Sequence, residues 1–269
     1  MNWQQLIAVL IVLFALRLTY KKSVSLFGLM VLLTSVYLLM YLLVKRKCTQ
    51  VETFTFKGQQ QGPSVLIVGT THGNEPAGGE ALNRYLEMLN SQMLFKGTLT
   101  VIPCLNPCGK ALGIRSQPHQ LMILSNTDLN RNYPTSTSEQ GTCPVSQALT
   151  SIIKQYDFVI DLHEGWGYHQ LDPESLGSGI YPNKQPLAEQ VATQMGQDLN
   201  ATINEESKQF VVQHIPDIPG SLRSLCDLYN IPYVLIETSG QNNIQPLDTR
   251  ANQHLTLIQS ALRQLQMTS

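Results

Sequence analysis

Four short apolar runs in the second part of the chain constrain its fold more than any other feature. They read "SVLIVGT", "GTLTVIPCL", "YDFVIDLH" and "PYVLIET". A strand that lacks alternating polar residues is buried on both faces, and this pattern is typical of sheets that carry helices on each side. The sequence therefore predicts an α/β domain whose mixed, mainly parallel sheet is covered by helices on both faces.

The segments between these runs predict the helices. We expect helices over about residues 77–89, 145–155, 186–199 and 246–266, and a shorter one within "PGSLRSLCDLYN". A long region rich in Pro, Asn and Gly, about residues 106–144, predicts loops. The 219 residues from position 51 to 269 are enough for one domain with a sizeable core.

The first 50 residues differ sharply in composition from the rest. They contain no Asp or Glu, and all of their charged residues are basic: Arg17, Lys21, Lys22, Lys45, Arg46 and Lys47. The other residues hold 12 basic and 19 acidic side chains, a net charge of about −7. Because the domain is acidic and has no basic stripe with interleaved aromatic residues, it is not expected to bind nucleic acid.

Residues 1–50 predict a membrane anchor, with the lipid bilayer as partner. The 21 residues from Val24 to Val44 carry no charge and would reach about 30 Å as a helix, the thickness of a hydrocarbon core. An earlier apolar segment, about residues 4–19, is followed by Lys21 and Lys22 and predicts the first arm of a helical hairpin or an interfacial segment. A cleaved signal peptide fits less well, because no small-residue cleavage site appears and a longer apolar span follows.

The charges beside the long apolar span predict its orientation. The cluster from Lys45 to Lys47 favours a cytoplasmic catalytic domain, although Lys21 and Lys22 compete for the same side. The five Cys residues are odd in number and show no paired C-x-x-C spacing, so free thiols in a reducing compartment are the simpler interpretation.

Four residues with metal or acid–base chemistry follow three of the predicted strands. His72 and Glu75 lie in "THGNE" behind the first strand, His163 ends "VIDLH", and Glu237 ends "VLIE". An H-x-x-E pair is common by chance, and a single His at a strand end is often structural. However, ligands bind outside the carboxyl ends of strands in open α/β sheets, so these side chains are expected to meet at one edge.

Such a set of residues predicts a catalytic metal site. His72, Glu75 and His163 supply the two imidazoles and one carboxylate of a catalytic zinc site, which keeps one position open for water. Zinc would lower the pKa of that water and polarise a scissile carbonyl, and other divalent ions would accept the same ligands. We expect Glu237 to be the general base.

The loop region adds residues suited to an anionic substrate. In "TDLNRNYP", Arg131 offers a planar fork for a carboxylate and Asn130 an amide donor. Arg115 is positioned to stabilise a tetrahedral oxyanion, and Asp128 is a candidate acceptor for the N–H of a ligating histidine. Without the metal set, the same segment would be interpreted as a surface loop with solvated arginines.

The blocks "HGNE", "NPCG…GIR", "DLNRNYP", "DLHE" and "IET" resemble, in order and approximate spacing, the zinc carboxypeptidase superfamily. This superfamily includes murein-peptide amidases and the succinylglutamate desuccinylase/aspartoacylase branch. The resemblance implies a zinc carboxypeptidase-like fold and the same site roles. His72, Glu75 and His163 would bind zinc, Asn130 and Arg131 a terminal carboxylate.

The resemblance does not identify one branch. "THGNE" is similar to the desuccinylase/aspartoacylase group, whereas "DLNRNYP", "DLHE", "IET" and "PGSL" are similar to carboxypeptidases and short amidases. The mobile Tyr of carboxypeptidases is missing from its expected place before "PGSL", and Tyr181 or Tyr229 are the possible substitutes. Glu164 and Asp172 are either selectors of a cationic substrate or solvated acids.

We therefore expect a membrane-anchored zinc hydrolase that cleaves an amide or peptide bond next to a free carboxylate. The alternative is a deacylase that acts on small N-acyl amino acids with the same zinc and base. A third possibility is a catalytically idle, membrane-tethered binding protein. The presence of His72, Glu75, His163 and Glu237 together counts against the third.

Overall fold

The structure, a computed structural model, describes residues 28–38, 51–89, 95–118 and 126–268. The chain forms two compact units, Met1–Lys47 and Cys48–Ser269. In the first unit, residues 28–38 form a helix. Among the described residues, no helix is both long enough and apolar enough to cross a bilayer. The remainder of the predicted 24–44 span, and the predicted arm at 4–19, lie outside the described residues.

The second unit is built on a mixed sheet, as predicted, and this sheet has seven strands. Its strands are β1 (Phe54–Lys57), β2 (Gln60–Gly69), β3 (Lys96–Ile102), β6 (Phe158–Gly165), β7 (Gly179–Pro182), β8 (Val211–Val212) and β9 (Tyr233–Ser239). The spatial order is β1-β3-β2-β6-β9-β7-β8. The four central strands, β3, β2, β6 and β9, are parallel to one another, whereas β1 runs antiparallel to β3 and β7 antiparallel to β9.

Helices cover both faces of this sheet. They are α1 (Ala77–Leu89), α2 (Pro107–Leu112), α3 (Pro144–Ile152), α4 (Pro186–Asn200), α5 (Leu222–Leu228) and α6 (Leu247–Gln264). Four 3-10 turns accompany them, at Leu129–Arg131, Ile153–Gln155, Glu206–Lys208 and Gln241–Asn243. The predicted loop region also contains α2 and a small two-stranded sheet, β4 (Gln117–Pro118) and β5 (Asn126–Thr127), which the sequence analysis did not predict.

Alternate side chains of the strands enter two hydrophobic cores. On one face, Val65 and Ile67 of β2 pack in a core with residues of α1, α4 and α6. On the other face, Leu66 and Val68 pack in a core with residues of α3 and α5. Because both faces are covered, the central strands carry continuous apolar runs, and this is why the sequence predicted the sheet so directly.

The cysteines differ from the prediction at one described position. Cys104, Cys143 and Cys226 are free thiols, as expected, whereas Cys108 at the start of α2 is disulfide-bonded. The expectation of free thiols is therefore wrong for Cys108. A disulfide is more typical of an oxidising compartment, so the cysteines no longer support a reducing one.

Candidate metal centre

The carboxyl ends of three neighbouring strands bring the predicted site residues together. His72 and Glu75 lie in the turn after β2, where the N–H of Glu75 donates to the carbonyl of His72 at 3.1 Å. His163 lies in β6, and Glu237 is its direct partner in the parallel register with β9. The turn is tight, because a Cβ on Gly73 would lie 1.9 Å from the carbonyl carbon of Gly109, so only glycine fits there.

A buried cluster, which we call the metal group, contains His72, Glu75 and His163. Their possible ligand atoms lie within 4.8 Å of one another. The Nδ1 atom of His72 is 2.9 Å from Oε1 of Glu75, and Nδ1 of His163 is 2.9 Å from Oε2 of the same carboxylate. The two Nδ1 atoms are 3.0 Å apart. Two imidazole nitrogens and a carboxylate that converge in this way fit a divalent metal ion such as zinc.

Electrostatics favours an ionised Glu75. Burial alone would raise the pKa of this carboxyl, but the nearby His72 and hydrogen bonds with His163 and His72 outweigh burial and hold the pKa well below its usual range. Arg115 adds a bond from Nη1 to Oε1 at 3.0 Å. An ionised carboxylate is the form that ligates a metal.

Asp128 lies behind His72, as predicted. Nε2 of His72 is 3.0 Å from Oδ1 of Asp128, and Nε of Arg115 donates to Oδ2 at 3.1 Å. Burial would raise the pKa of Asp128, but His72, Arg115 and the N–H of Asn130 together hold it well below its usual range. Asp128 is therefore placed to accept from Nε2 of His72, while Nδ1 of His72 faces Glu75 and His163.

Arg115 lies at the centre because its backbone is held in place. Its carbonyl accepts from the N–H of Gly73 at 3.3 Å and from Nδ2 of the buried Asn106 at 3.2 Å. Asn106 also caps α2 through Gly109. The guanidinium contacts Glu75 while 43% of the side chain stays exposed, so it can reach a ligand in the open part of the site.

Glu237 is nearly buried, with 8% of its surface exposed. Burial raises the pKa of Glu237 to about 8; neighbouring His163 and Arg115 oppose this rise, and Glu75 adds to it. A carboxylate that is poorly solvated and has an elevated pKa has the properties of a general base, because it holds a proton more strongly than an exposed Glu does.

The predicted carboxylate-binding pair, Asn130 and Arg131, lies just after Asp128, on the 3-10 turn that Asp128 caps. Oδ1 of Asn130 accepts from the N–H of Leu222 at 2.9 Å. Arg131 is exposed, and its Nη1 donates to the carbonyl of Asn130 at 2.6 Å. Their role toward a substrate stays a prediction.

Glu164 is neither a solvated acid nor a substrate selector, and both interpretations are wrong. It is 1% exposed, and its carboxylate accepts from the N–H of Ala77 at 2.7 Å and from Arg250 of α6. Its side chain therefore joins the start of α1 to α6. Asp172 is half-buried and accepts from the N–H of Glu174, which leaves its predicted role untested.

Neither tyrosine considered as a substitute for the mobile Tyr is free to serve as one. Tyr181 is fully buried in β7, and its hydroxyl donates to the carbonyl of Leu176 at 2.8 Å. Tyr229 precedes β9, at the edge of the sheet opposite to Glu237, and the Nζ of Lys154 lies 4.2 Å from its ring centroid.

Two residues near the centre were not predicted from the sequence. Gln241, just after β9, donates from Nε2 to Oε1 of Glu75 at 3.3 Å and to the carbonyl of Glu164 at 2.7 Å. Asp161 lies 3.1 Å from Nε2 of His163. Asp161 had a signal in the sequence, because residues two apart on a strand share a face. Gln241 had none.

Comparison with known proteins agrees with this geometry. Residues 61–171 match the sequence profile of the succinylglutamate desuccinylase/aspartoacylase catalytic domain. The chain is 27% identical to carboxypeptidase E of Caenorhabditis elegans over 189 residues, which cover 62% of this chain and 38% of the relative. It is also 27% identical over 106 residues to an N-alpha-acetyl-L-2,4-diaminobutyric acid deacetylase of Halomonas elongata, covering 39% of this chain and 29% of that one.

A solved structure with the same fold is the cell shape determinant Csd4 of Helicobacter pylori. The TM-score is 0.67 at 19% sequence identity, and the match covers 81% of this chain and 55% of Csd4. Csd4 has been described as a D,L-carboxypeptidase, and a tripeptide-bound form of it matches with a TM-score of 0.66. The chain thus spans only about a third of its two curated relatives and about half of Csd4.

These findings confirm the predicted resemblance. Residues 61–171 resemble the succinylglutamate desuccinylase/aspartoacylase catalytic domain, and the chain has a zinc carboxypeptidase-like fold. Its relatives include a carboxypeptidase and a deacetylase, which are both hydrolases.

Proposed function

We propose that this protein is a zinc-dependent hydrolase that cleaves an amide or peptide bond adjacent to a free carboxylate. The observation that carries the proposal is the buried convergence of His72, Glu75 and His163 beside Glu237. A purely structural role would not require two imidazoles and two carboxylates at one sheet edge, since buried charges are costly unless they are paired or bind a metal.

In this proposal His72, Glu75 and His163 hold the zinc ion. When bound, zinc supplies a Lewis acid that polarises a carbonyl and lowers the pKa of water. Glu237 accepts the proton of the attacking water and returns it to the amine as the carbon–nitrogen bond breaks. Arg115 stabilises the negative charge that develops on the carbonyl oxygen. The products are a carboxylic acid and an amine.

A peptide with a free carboxylate is the proposed substrate class. Arg131 and Asn130 are the proposed ligands of that carboxylate, because a guanidinium and an amide match its geometry. Support comes from Csd4, which shares the fold and has been crystallised with a tripeptide.

A deacylase that acts on small N-acyl amino acids is the second candidate. It is favoured by the domain match over residues 61–171 and by the similarity to a deacetylase. Both candidates use the same base and differ in the substrate.

The test compares wild type with Glu237→Gln, using the full chain purified in detergent and loaded with zinc. The panel contains short peptides, the same peptides with amidated C-termini, murein-type peptides and N-acyl amino acids, and mass spectrometry follows amine release. We expect Glu237→Gln to keep bound zinc but to lose about 10²- to 10⁴-fold in turnover, because general-base catalysis contributes about that much. Glu87→Gln, on the exposed face of α1, is the matched control.

Each outcome of the panel has a definite meaning. Release from free but not amidated peptides supports the peptidase and the role of Arg131. Release only from N-acyl amino acids moves the protein to the deacylase branch. Full activity of Glu237→Gln contradicts the mechanism, and silence on the whole panel with zinc bound favours the catalytically idle binding protein.

We further propose that the segment from Val24 to Val44 anchors this domain in a membrane. The support is its charge-free length and the helix at 28–38, where Met30, Val31 and Leu38 expose large parts of their apolar side chains. The cluster from Lys45 to Lys47 favours a cytoplasmic domain, and the disulfide at Cys108 counts against it. Protease accessibility of the domain in sealed vesicles measures its side directly.

A further inference from the structure

The two histidines of the metal group are oriented in the same way. In each ring, Nδ1 faces Glu75 and the other ring, while Nε2 faces an aspartate. Nε2 of His72 is 3.0 Å from Asp128, and Nε2 of His163 is 3.1 Å from Asp161. The sequence predicted the first of these two pairs but not the second.

Asp161 is held in a fixed position behind His163. The two residues lie two apart on β6, so they share one face of the strand. Tyr233 of β9 donates its hydroxyl to Oδ2 of Asp161 at 2.9 Å, and the hydroxyl of Thr71 lies 3.4 Å from Oδ1. Asp161 has no exposed surface.

The burial of Asp161 calls for a partner in addition to its hydroxyl donors. A carboxylate taken out of water is costly unless it is paired, and hydroxyl donors alone do not balance its charge. Within the part of the chain that the structure describes, His163 is the only basic side chain close to Asp161, with Nε2 at 3.1 Å from Oδ1. Nε2 of His163 is itself buried and has no aligned hydrogen-bond partner among those residues, so Asp161 is the acceptor available to it.

We propose that Asp161 is a positioning residue for the metal ligand His163. By accepting the proton on Nε2, Asp161 selects the tautomer whose Nδ1 lone pair points to the metal, and it increases the basicity of the ring. Tyr233 and Thr71 hold the carboxylate in turn. This inference rests on the metal site of the proposed function, and it assigns Asp161 a role beyond the fold.

The experiment measures zinc affinity rather than turnover. The full chain is purified in detergent, stripped of metal, and titrated with Zn²⁺ against a fluorescent chelator. We expect Asp161→Asn to weaken the Kd for zinc about 10- to 100-fold, the usual effect of losing a partner behind a ligand. Tyr233→Phe keeps Asp161 but removes one bond to it, and a smaller weakening, about threefold, is expected.

Two controls separate positioning from stability. Ser260→Ala removes another hydroxyl–carboxylate bond, from the fully buried Ser260 to the partly exposed Asp198 at 2.6 Å, and should leave the Kd unchanged. His163→Gln should abolish tight binding and so locate the ion. The Tm of each variant with and without zinc is recorded, because a merely structural Asp161 would lower the metal-free Tm and leave the Kd as it is.

The outcomes distinguish this inference from the function on which it rests. If wild type binds zinc and Asp161→Asn binds it equally well, the role of Asp161 is wrong and the metal site stands. If wild type binds no zinc, the proposed function itself fails. Should Asp161→Asn not fold, an unchanged Kd in Tyr233→Phe overturns the inference.

Discussion

His254 is a fully buried histidine close to the metal group. It lies in α6, and its Nε2 is 3.2 Å from the hydroxyl of Thr238, the residue after Glu237. Burial is the largest cause that lowers the pKa of His254 to about 3, and the nearby His163 and Arg250 contribute by disfavouring a second positive charge. The folded protein therefore keeps this ring neutral in mildly acidic solution.

This shift predicts how stability depends on pH. The pKa of an unfolded histidine is about 6.5, so the unfolded chain takes up the proton first as pH falls. The neutral ring of His254 therefore contributes its full stabilisation to the folded state above about pH 6.5. Below that pH the contribution is lost at about 1.4 kcal/mol per pH unit. When the pH falls from 7.5 to 5.0, the free energy of unfolding of wild type should thus fall by about 2 kcal/mol because of His254.

Urea unfolding at both pH values, with a chelator present to exclude metal effects, checks this expectation. His254→Gln should lose about 2 kcal/mol less than wild type between the two pH values. His214→Gln removes a histidine that is 44% exposed and serves as the control. An identical loss in wild type and His254→Gln would contradict the assignment.

The structure also shows which single residues can be predicted from sequence. His72, Glu75, His163 and Glu237 were predictable because each follows a strongly apolar strand, and strand ends meet at one edge. The burial and pairing of Glu164 were not predictable, because its partner Arg250 lies 86 positions away and no local pattern relates the two. Long-range pairing decides whether an acid after a strand is solvated or buried.

At the scale of elements, Glu164 and Arg250 join three parts of the fold behind the metal group. The carboxylate of Glu164 accepts from Ala77 at the start of α1 and from Arg250 of α6. Its backbone N–H in β6 donates to Glu75 at 3.2 Å. Both side chains of the pair are almost fully buried, at 1% and 5% exposure.

Breaking this pair should destabilise the protein strongly. Arg250→Met leaves a buried carboxylate without its partner, a change that typically costs about 3–5 kcal/mol. Arg263→Met on the same helix removes an exposed ion pair with Asp198 and should cost no more than about 1 kcal/mol. Chemical denaturation of both variants measures the difference, and equal effects would contradict the role of the buried pair.

A second variant isolates the charge effect. Glu164→Gln combined with Arg250→Met removes both charges, so it should recover part of the loss seen in Arg250→Met alone. No recovery would mean that lost packing of the Arg250 stem, rather than the unpaired charge, causes the destabilisation.

The elements themselves were predictable to the extent that their sequences carry a periodic or apolar signal. The strands β2, β3, β6 and β9 and the helices α1 and α4 lie where the sequence placed them. The strands β1, β7 and β8 were missed. They have two to four residues each and are defined by pairing at the outer parts of the sheet, which no local pattern records. Helix α2 has six residues, too few for helical periodicity to appear.

At the scale of the whole molecule, the two units differ in the solvent that their sequences suit. The second unit buries its apolar strands between helices and is acidic. The apolar run of the first unit has no acidic residue and is flanked by basic clusters on both sides. Basic residues at the ends of an apolar span suit the headgroup region of a bilayer, and this difference underlies the proposed anchor.

The anchor predicts how the protein behaves when membranes are washed. Cells expressing the full chain are broken, and their membranes are treated with alkaline carbonate and then with detergent. We expect the full chain to stay in the carbonate pellet and to dissolve only in detergent, because a span of about 20 apolar residues is held by the hydrocarbon core. A variant that starts at Cys48 keeps the whole second unit and should appear in the soluble fraction.

A matched variant tests whether the apolar run itself is responsible. Leu33→Arg together with Val36→Arg places two charges in the middle of the run, and each costs about 2.5–3.5 kcal/mol at the centre of a membrane helix. These changes should shift the full chain toward the carbonate-soluble fraction without affecting zinc binding by the second unit. Carbonate extraction of the unmodified chain would contradict the anchor, and the metal centre would then belong to a domain that needs no bilayer.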